Sequence, residues 1–245
     1  MTETLFELRK FVAPEFIIGV DARRLAGRYA KNFGANHVFL VTGPELIKAG
    51  WVGDVAESLE SEGIQYTIFP DVSPNPRDYE VMNGAELYKK KGCDAVIAVG
   101  GGSPIDCAKG IGIVVSNEQH ILEFEGVDNV SIPAPPLICI PTTSGSAADV
   151  SQFAIINDTK RKVKIAIISK KIVPDISLCD PVPLTSLTSD LTAHTGMDAL
   201  VHSIEAYVSN ASSPVTDIQA LESIRLISAY LPLAYHNPDH IGYRY

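Results

Sequence analysis

The chain has 245 residues, 46% of them hydrophobic and 20% charged, the composition of a folded protein able to build one large or two small domains around a well-buried core. Its 20 basic residues against 29 acidic ones leave a net charge of −9, the wrong sign for a phosphate-backbone binder, so nucleic acid is not expected as a partner. No apolar run approaches the ~18 residues of a membrane span, and the mixed-charge start MTETLFELRKF lacks the apolar stretch of an export signal, so neither membrane contact nor export is expected.

From about residue 15 to 140, short β-branched runs alternate with helical patterns. The order is a strand over 37–42, a helix over 44–62, a strand over 65–69, a helix over 77–91, a strand over 95–99, a helix over 104–115 and a strand over 137–140. Strands and helices of this length predict right-handed βαβ units and a mostly parallel sheet covered on both faces, an α/β domain. Next, QFAIIND and KVKIAII flank the turn-like NDTKR and predict a β-hairpin, followed by a proline-rich connector at Pro174, Pro181 and Pro183. Beyond Pro183 the pattern is helical only. Two helices are expected, over 187–209 and 214–230, with Pro214 placed at a helix start. A domain boundary is expected near residue 185, dividing 1–185 from 186–245. Cys93, Cys107, Cys139 and Cys179 show no C-x-x-C pairing and mostly sit in or beside apolar runs, which fits a reducing, cytoplasmic setting.

Three segments carry chemistry. In VIAVGGGSPIDCAKG, a buried-looking strand runs through Gly100, Gly101, Gly102 and Ser103 into a helix. Glycines at that junction allow close backbone approach, and the helix N-terminus offers unpaired N–H groups to an anion such as a pyrophosphate. The spacing matches neither G-x-G-x-x-G nor the P-loop, and a tight strand-to-helix turn is the bland alternative. PTTSGSAADVS gathers hydroxyls at Thr142, Thr143, Ser144 and Ser146 around Gly145 at another strand end, able to donate to phosphate or ribose oxygens or simply to turn the chain. In LTAHTGMDALVHSIEAYVS, Asp198 and His202 stand four residues apart, so a helix presents a carboxylate and an imidazole on one face. Such a hard oxygen and borderline nitrogen suit a divalent ion such as Fe²⁺ or Zn²⁺.

Taken in this order and with these separations, GGGSPIDCAKG, PTTSGSAADVS and HTGMDALVHSIEAYVS resemble the iron-containing (group III) alcohol dehydrogenases, over residues 16 to about 232. The resemblance implies an N-terminal parallel-sheet dinucleotide-binding domain followed by the start of an all-α metal-binding domain, a dehydroquinate synthase-like architecture. It implies an NAD- or NADP-dependent oxidoreductase that interconverts a small primary alcohol and its aldehyde by hydride transfer, with a divalent metal, Fe²⁺ or alternatively Zn²⁺, polarising the substrate oxygen. Pyrophosphate contacts are implied at Gly101, Gly102 and Ser103, hydroxyl contacts from Thr142, Thr143 and Ser146, and further cofactor contacts from Asn75 in VSPNPR and from Lys164. Asp198 and His202 match the family's first two metal ligands and are the expected catalytic pair.

Two departures stand out. Where many members carry an aspartate after the second strand, this chain reads LVTGPEL with Gly43, which weakens the case for strict NAD use. The family's other two metal ligands are histidines on later helices, of whose domain this chain holds only the beginning. The competing expectation is therefore a catalytically inactive fragment or a dinucleotide-binding module without a complete metal site. Glycerol dehydrogenase-like or dehydroquinate synthase-like chemistry is a third reading. His194 could join the Asp198 face if the helix runs through it, though Thr195 and Gly196 fit a helix start equally. His236 and His240 fall in a tail that reads as polar and exposed, and local capping is the bland alternative to a catalytic role for Asp106 and Asp149. An exposed apolar face on the helical pair predicts marginal stability or self-association, including a homo-oligomer.

Overall fold

The computed structural model describes residues 11–244. Its main sheet is formed by β1 (Glu15–Ile18), β2 (His37–Thr42), β3 (Gln65–Phe69), β4 (Ala95–Gly100), β6 (Leu137–Pro141) and β9 (Ile176–Cys179), in the order β1-β9-β6-β4-β2-β3 with every pair parallel. Between them lie the helices α1 (Ala26–Asn32), α2 (Pro44–Lys48), α3 (Trp51–Ser61), α4 (Asp78–Lys91) and α5 (Gly102–Asn117). A parallel strand buried on both faces has to be apolar at successive residues, which is why HVFLVT and AVIAVG read as continuous runs. Alternation sorts them: Phe39, Val41, Val96 and Ala98 join the core under α4 and α5, and Val38, Leu40, Ile97 and Val99 the core under α1 and α3.

The strand order places the site. The chain runs from β2 outward to β3, then returns to lay β4 on the other side of β2, so the connections diverge between the carboxyl ends of β2 and β4. Such a reversal opens a crevice where open α/β sheets bind ligands.

A smaller sheet holds the expected hairpin. Strands β7 (Phe153–Asp158) and β8 (Val163–Ile168) pair antiparallel, with Asn157 opposite Lys164, and β5 (Gly126–Val127) adds in parallel to β8. Two helices follow, α6 (Ser189–Val208) and α7 (Pro214–His236). The Thr188 hydroxyl accepts from the Leu191 amide to start α6, and Ser213 with Thr216 closes a capping box ahead of Pro214.

Several expectations need correction. The helix expected over 44–62 is two helices, because Gly50 takes φ +88° between α2 and α3, a left-handed conformation that glycine adopts without steric cost. The connector around Pro174 to Pro183 contains β9, whose Ile176, Ser177 and Leu178 are buried beside β6; four residues between prolines are too few to show a periodicity. Strands β1 and β5 also lay below that threshold. The helix over 214–230 continues to His236 through Pro232. The tail then folds back on α6 rather than trailing away: Arg244 Nη1 donates to Thr192 Oγ1 at 2.8 Å, and the His240 and Tyr243 rings stack at 3.9 Å.

The helical pair buries little of itself. In α6 and α7 only Thr192, Gly196, Ala220 and Ala234 are buried, while Val201, Ile204, Val215, Ile218 and Leu221 are exposed, the open apolar face the sequence leads one to expect. Among the described residues, no helix is long and apolar enough to cross a membrane.

Candidate cofactor cleft and metal ligand pair

A cleft of ≈1740 Å³ runs along the carboxyl ends of β2, β3, β4 and β6 and is closed on its far side by α6. It exceeds the roughly 300–1,000 Å³ of ordinary small-ligand pockets and has the room of an extended dinucleotide. One end is lined by Gly43 and Asp71, the middle by Gly101, Gly102, Ser103, Thr142, Thr143 and Ser146, and the other by Asp198 and His202.

The middle has the chemistry to receive an anion. Helix α5 begins at Gly102 with no side chain capping its first turn and no acidic residue in it, so its leading N–H groups and the positive end of its dipole face the cleft. A methyl group on Gly101 would lie 2.8 Å from Thr143 Oγ1, and one on Gly102 would lie 3.0 Å from the Ser146 side chain. The glycine turn and the hydroxyl loop therefore line one slot with no space for a side chain at either glycine.

The loop at 73–77 is stitched over that slot. The Asn75 amide donates to Ser103 Oγ at 3.0 Å, Lys164 Nζ donates to Asn75 Oδ1 at 2.6 Å, and Asn157 Nδ2 donates to the Asn75 carbonyl at 2.9 Å. Asn75 itself sits at φ +58°, a left-handed position that asparagine tolerates better than most residues. The buried carboxylate of Glu80 holds the loop from below, accepting from Ser73 Oγ at 2.6 Å and from the Arg77 amide at 2.9 Å.

Asp106 lines the same cleft. Burial pushes its carboxyl up to about 6, against the opposing pull of Lys109, the Ile155 amide and Lys164. In the unfolded chain an aspartate titrates near 3.8, so the fold favours the protonated form; that contribution is complete below about 4 and is lost as the pH rises through 6. Asp106→Asn, which keeps an acceptor for the Ile155 amide, is accordingly expected to stabilise the chain at pH 8 by up to about 3 kcal/mol and to change nothing at pH 4. Urea midpoints measured across that range check this, and an equal effect at both ends would remove Asp106 from the titration.

At the α6 end the structure brings together a carboxylate and an imidazole, groups able to coordinate a metal. Helix α6 is continuous through Thr195 and Gly196, so Asp198 and His202 share a face with Asp198 Oδ1 3.8 Å from His202 Nε2, each side chain 51% exposed toward the cleft. His202 Nδ1 donates to the Gly145 carbonyl at 3.2 Å. A carbonyl only accepts, so Nδ1 carries the proton of that bond and Nε2 is the ring nitrogen turned toward the carboxylate. Two facing lone-pair donors at this spacing suit a shared cation.

All the residues expected to bind cofactor or metal, namely Asn75, Gly101, Gly102, Ser103, Thr142, Thr143, Ser146, Lys164, Asp198 and His202, line this single cleft. His194 lies on the same continuous helix but is exposed and outside the cleft lining. Asp106 and Asp149 are not local caps: Asp106 accepts from the Ile155 amide, and Asp149 Oδ2 accepts from Ser177 Oγ at 2.6 Å, tying the hydroxyl loop to β9. Among the described residues no group of three His, Cys, Asp or Glu could hold a metal, so Asp198 and His202 are two donors without a third beside them. Sequence reasoning passed over Lys109, although a lone lysine inside the apolar run CAKGIGI was its visible signal.

An open parallel sheet with its cleft at the switch point, followed by a helical pair, defines the class of α/β dinucleotide-binding proteins with an appended all-helical domain. The chain belongs to the iron-containing alcohol dehydrogenase family, whose main model matches residues 13–181 and whose C-terminal model matches residues 192–244. It is 38% identical over 234 residues to an NAD-dependent methanol dehydrogenase of Bacillus methanolicus, covering 96% of this chain and 61% of that protein. It is 42% identical over 228 residues to alcohol dehydrogenase 4 of Schizosaccharomyces pombe, covering 93% of this chain and 54% of that one. The crystal structure of a 1,3-propanediol oxidoreductase superposes with a TM-score of 0.95 at 36% identity, over 97% of this chain and 63% of the other. The chain thus spans between 54% and 61% of the length of these two curated relatives.

Proposed function

We propose that this chain binds a nicotinamide dinucleotide along the cleft and belongs to an NAD(P)-dependent oxidoreductase interconverting a small primary alcohol and its aldehyde. The observation that carries the reading is the convergence of the uncapped α5 N-terminus, the Gly101–Thr143 and Gly102–Ser146 slot and the hydroxyl loop at the switch point. The pyrophosphate lies on Gly101, Gly102 and Ser103 with hydroxyl donors from Thr142, Thr143 and Ser146, and Asn75 and Lys164 hold the cofactor toward the α6 end. The small-alcohol relatives support the substrate class. A cytoplasmic setting, a domain division near residue 185 and a homo-oligomer belong to the same reading.

Asp198 and His202 would hold one side of a divalent ion, iron first and zinc as the alternative. Such an ion, when bound, is a Lewis acid that lowers the pKa of a coordinated alcohol. The chain's own residues position: the cradle fixes the dinucleotide at the sheet edge, Gly145 fixes the His202 ring, and α6 faces the substrate space. A second reading, a dinucleotide-binding module without a complete metal site, is favoured by the lack of a third donor beside Asp198 and His202 among the described residues.

At the β2 end a methyl group on Gly43 would meet nothing closer than the Val72 carbonyl at 3.7 Å, so position 43 has room for an acidic side chain and carries none, with Glu45 and Asp71 lining the same end. A carboxylate there accepts from ribose hydroxyls and repels a 2′-phosphate. The chain is expected to bind NADH and NADPH with dissociation constants within about tenfold, and Gly43→Asp to weaken NADPH by at least about tenfold while sparing NADH. Fluorescence titration of both dinucleotides tests this. Binding of neither would sink the dinucleotide reading itself.

A further inference from the structure

Lys109 is fully buried, and among the described residues its ammonium makes no bonding contact with a carboxylate. Nζ instead donates to three backbone carbonyls, Ala148 at 2.5 Å, Ser151 at 2.8 Å and Phe153 at 2.8 Å, with Ser151 Oγ at 3.4 Å. An ammonium has three N–H donors and no acceptor, so three carbonyls satisfy it completely. Those carbonyls belong to one segment that doubles back on itself. To do so it holds Ala147 at φ +50°, a left-handed conformation that is strained for a residue with a Cβ. The Val150 and Ser151 amides close the turn on the Ala147 carbonyl at 3.2 and 3.1 Å. Immediately before the turn stand Thr142, Thr143 and Ser146 on the anion slot, and Gly145, whose carbonyl orients His202.

We propose that Lys109 is a positioning residue: its buried ammonium shapes the 141–153 segment, and through that segment sets both the anion-binding hydroxyls and the direction in which His202 presents Nε2. Desolvation lowers the lysine below its ordinary range, while Cys139, Asp106 and Asp149 nearby work to keep it charged. The charge matters because charge-assisted bonds to carbonyls are stronger than neutral ones, and here they oppose a strained turn. One cation deep in the α/β part thereby holds elements that face the middle and the α6 end of the cleft. The consequence for cofactor binding rests on the dinucleotide reading above; the consequence for the loop does not.

The test is amide hydrogen exchange on the 245-residue chain and on Lys109→Ala, read at Val150 and Ser151, with the Val96 amide, bonded to the Pro136 carbonyl at 2.8 Å, as the internal control. Exchange at Val150 and Ser151 is expected to accelerate on the order of tenfold or more with Val96 unchanged, and millimolar ethylammonium is expected to restore protection where ethanol does not. Unchanged exchange would overturn the proposal, and so would equal rescue by ethanol, because that means filled volume rather than charge holds the turn. Lys109→Met, which refills the volume without the charge, repeats the comparison if the alanine variant does not fold; loss of the whole fold in both would make Lys109 a requirement of the core and overturn a local positioning role. NADH titration runs in parallel and is expected to show a dissociation constant at least about tenfold weaker in the variant. Accelerated exchange with unchanged NADH affinity would uphold the hold of Lys109 on the loop and overturn its setting of the anion-binding hydroxyls, whereas no NADH binding by either protein would count against the dinucleotide reading and leave the hold on the loop to the exchange data.

Discussion

Gly145→Ala is expected to separate the hydroxyl loop from α6 and to weaken metal binding and folding together. A methyl group at Gly145 would lie 2.8 Å from Asp198 Oδ2 and 2.8 Å from the Thr195 carbonyl. The aspartate can rotate away, but the Thr195 carbonyl belongs to the backbone of α6 and cannot. Either the helix or the loop must move, an overpacking cost of about 1–3 kcal/mol. The same movement stretches the bond from His202 Nδ1 to the Gly145 carbonyl, and loss of such an orienting partner typically weakens metal affinity about 10–100-fold. Urea denaturation and Zn²⁺ titration calorimetry measure both effects. Native stability with unaltered zinc affinity would show that the contact between loop and helix orients nothing.

The second large effect is at Asp198. Zinc is expected to bind the chain weakly but saturably, and Asp198→Ala or His202→Ala to abolish that saturation, since one remaining donor does not hold the ion against water. The NADH dissociation constant should change less than about twofold, because the cradle is built on α5 and the loop after β6 rather than on α6. Zinc binding that survives both substitutions would place the metal elsewhere in the protein. Zinc binding lost together with NADH binding would mean that α6 supports the cradle as well as the metal.

Much of this site was legible in the sequence because local chemistry marks it. Glycines at a strand-to-helix junction, hydroxyls at a strand end and a carboxylate four residues before an imidazole each announce a function within about a dozen residues, and all three segments reach one cleft. Other parts left no such mark. Strand β9 is four residues between prolines, and its place inside the sheet follows from pairing with β6 and β1 rather than from any pattern of its own. The break at Gly50 needed the backbone angle, and the passage of α6 through Gly196 needed packing: Gly196 faces Leu231 of α7, with no space there for a side chain.

The sequence by itself determined the class: a parallel sheet from its continuous apolar strands, a glycine turn at a strand-to-helix junction, and a carboxylate and an imidazole on one helix face. Only the tertiary structure decided how these parts act on one another. The Gly145 carbonyl selects the His202 nitrogen that faces Asp198, 57 residues away along the chain. Lys109 reaches carbonyls 39 to 44 residues away to hold the loop that carries Gly145. Strand and helix periodicities are properties of neighbours and survive in a linear text. A hydrogen bond between distant segments depends on where the sheet order and the helix packing bring them, and a backbone carbonyl, common to every residue, leaves no trace in the sequence of the role it takes.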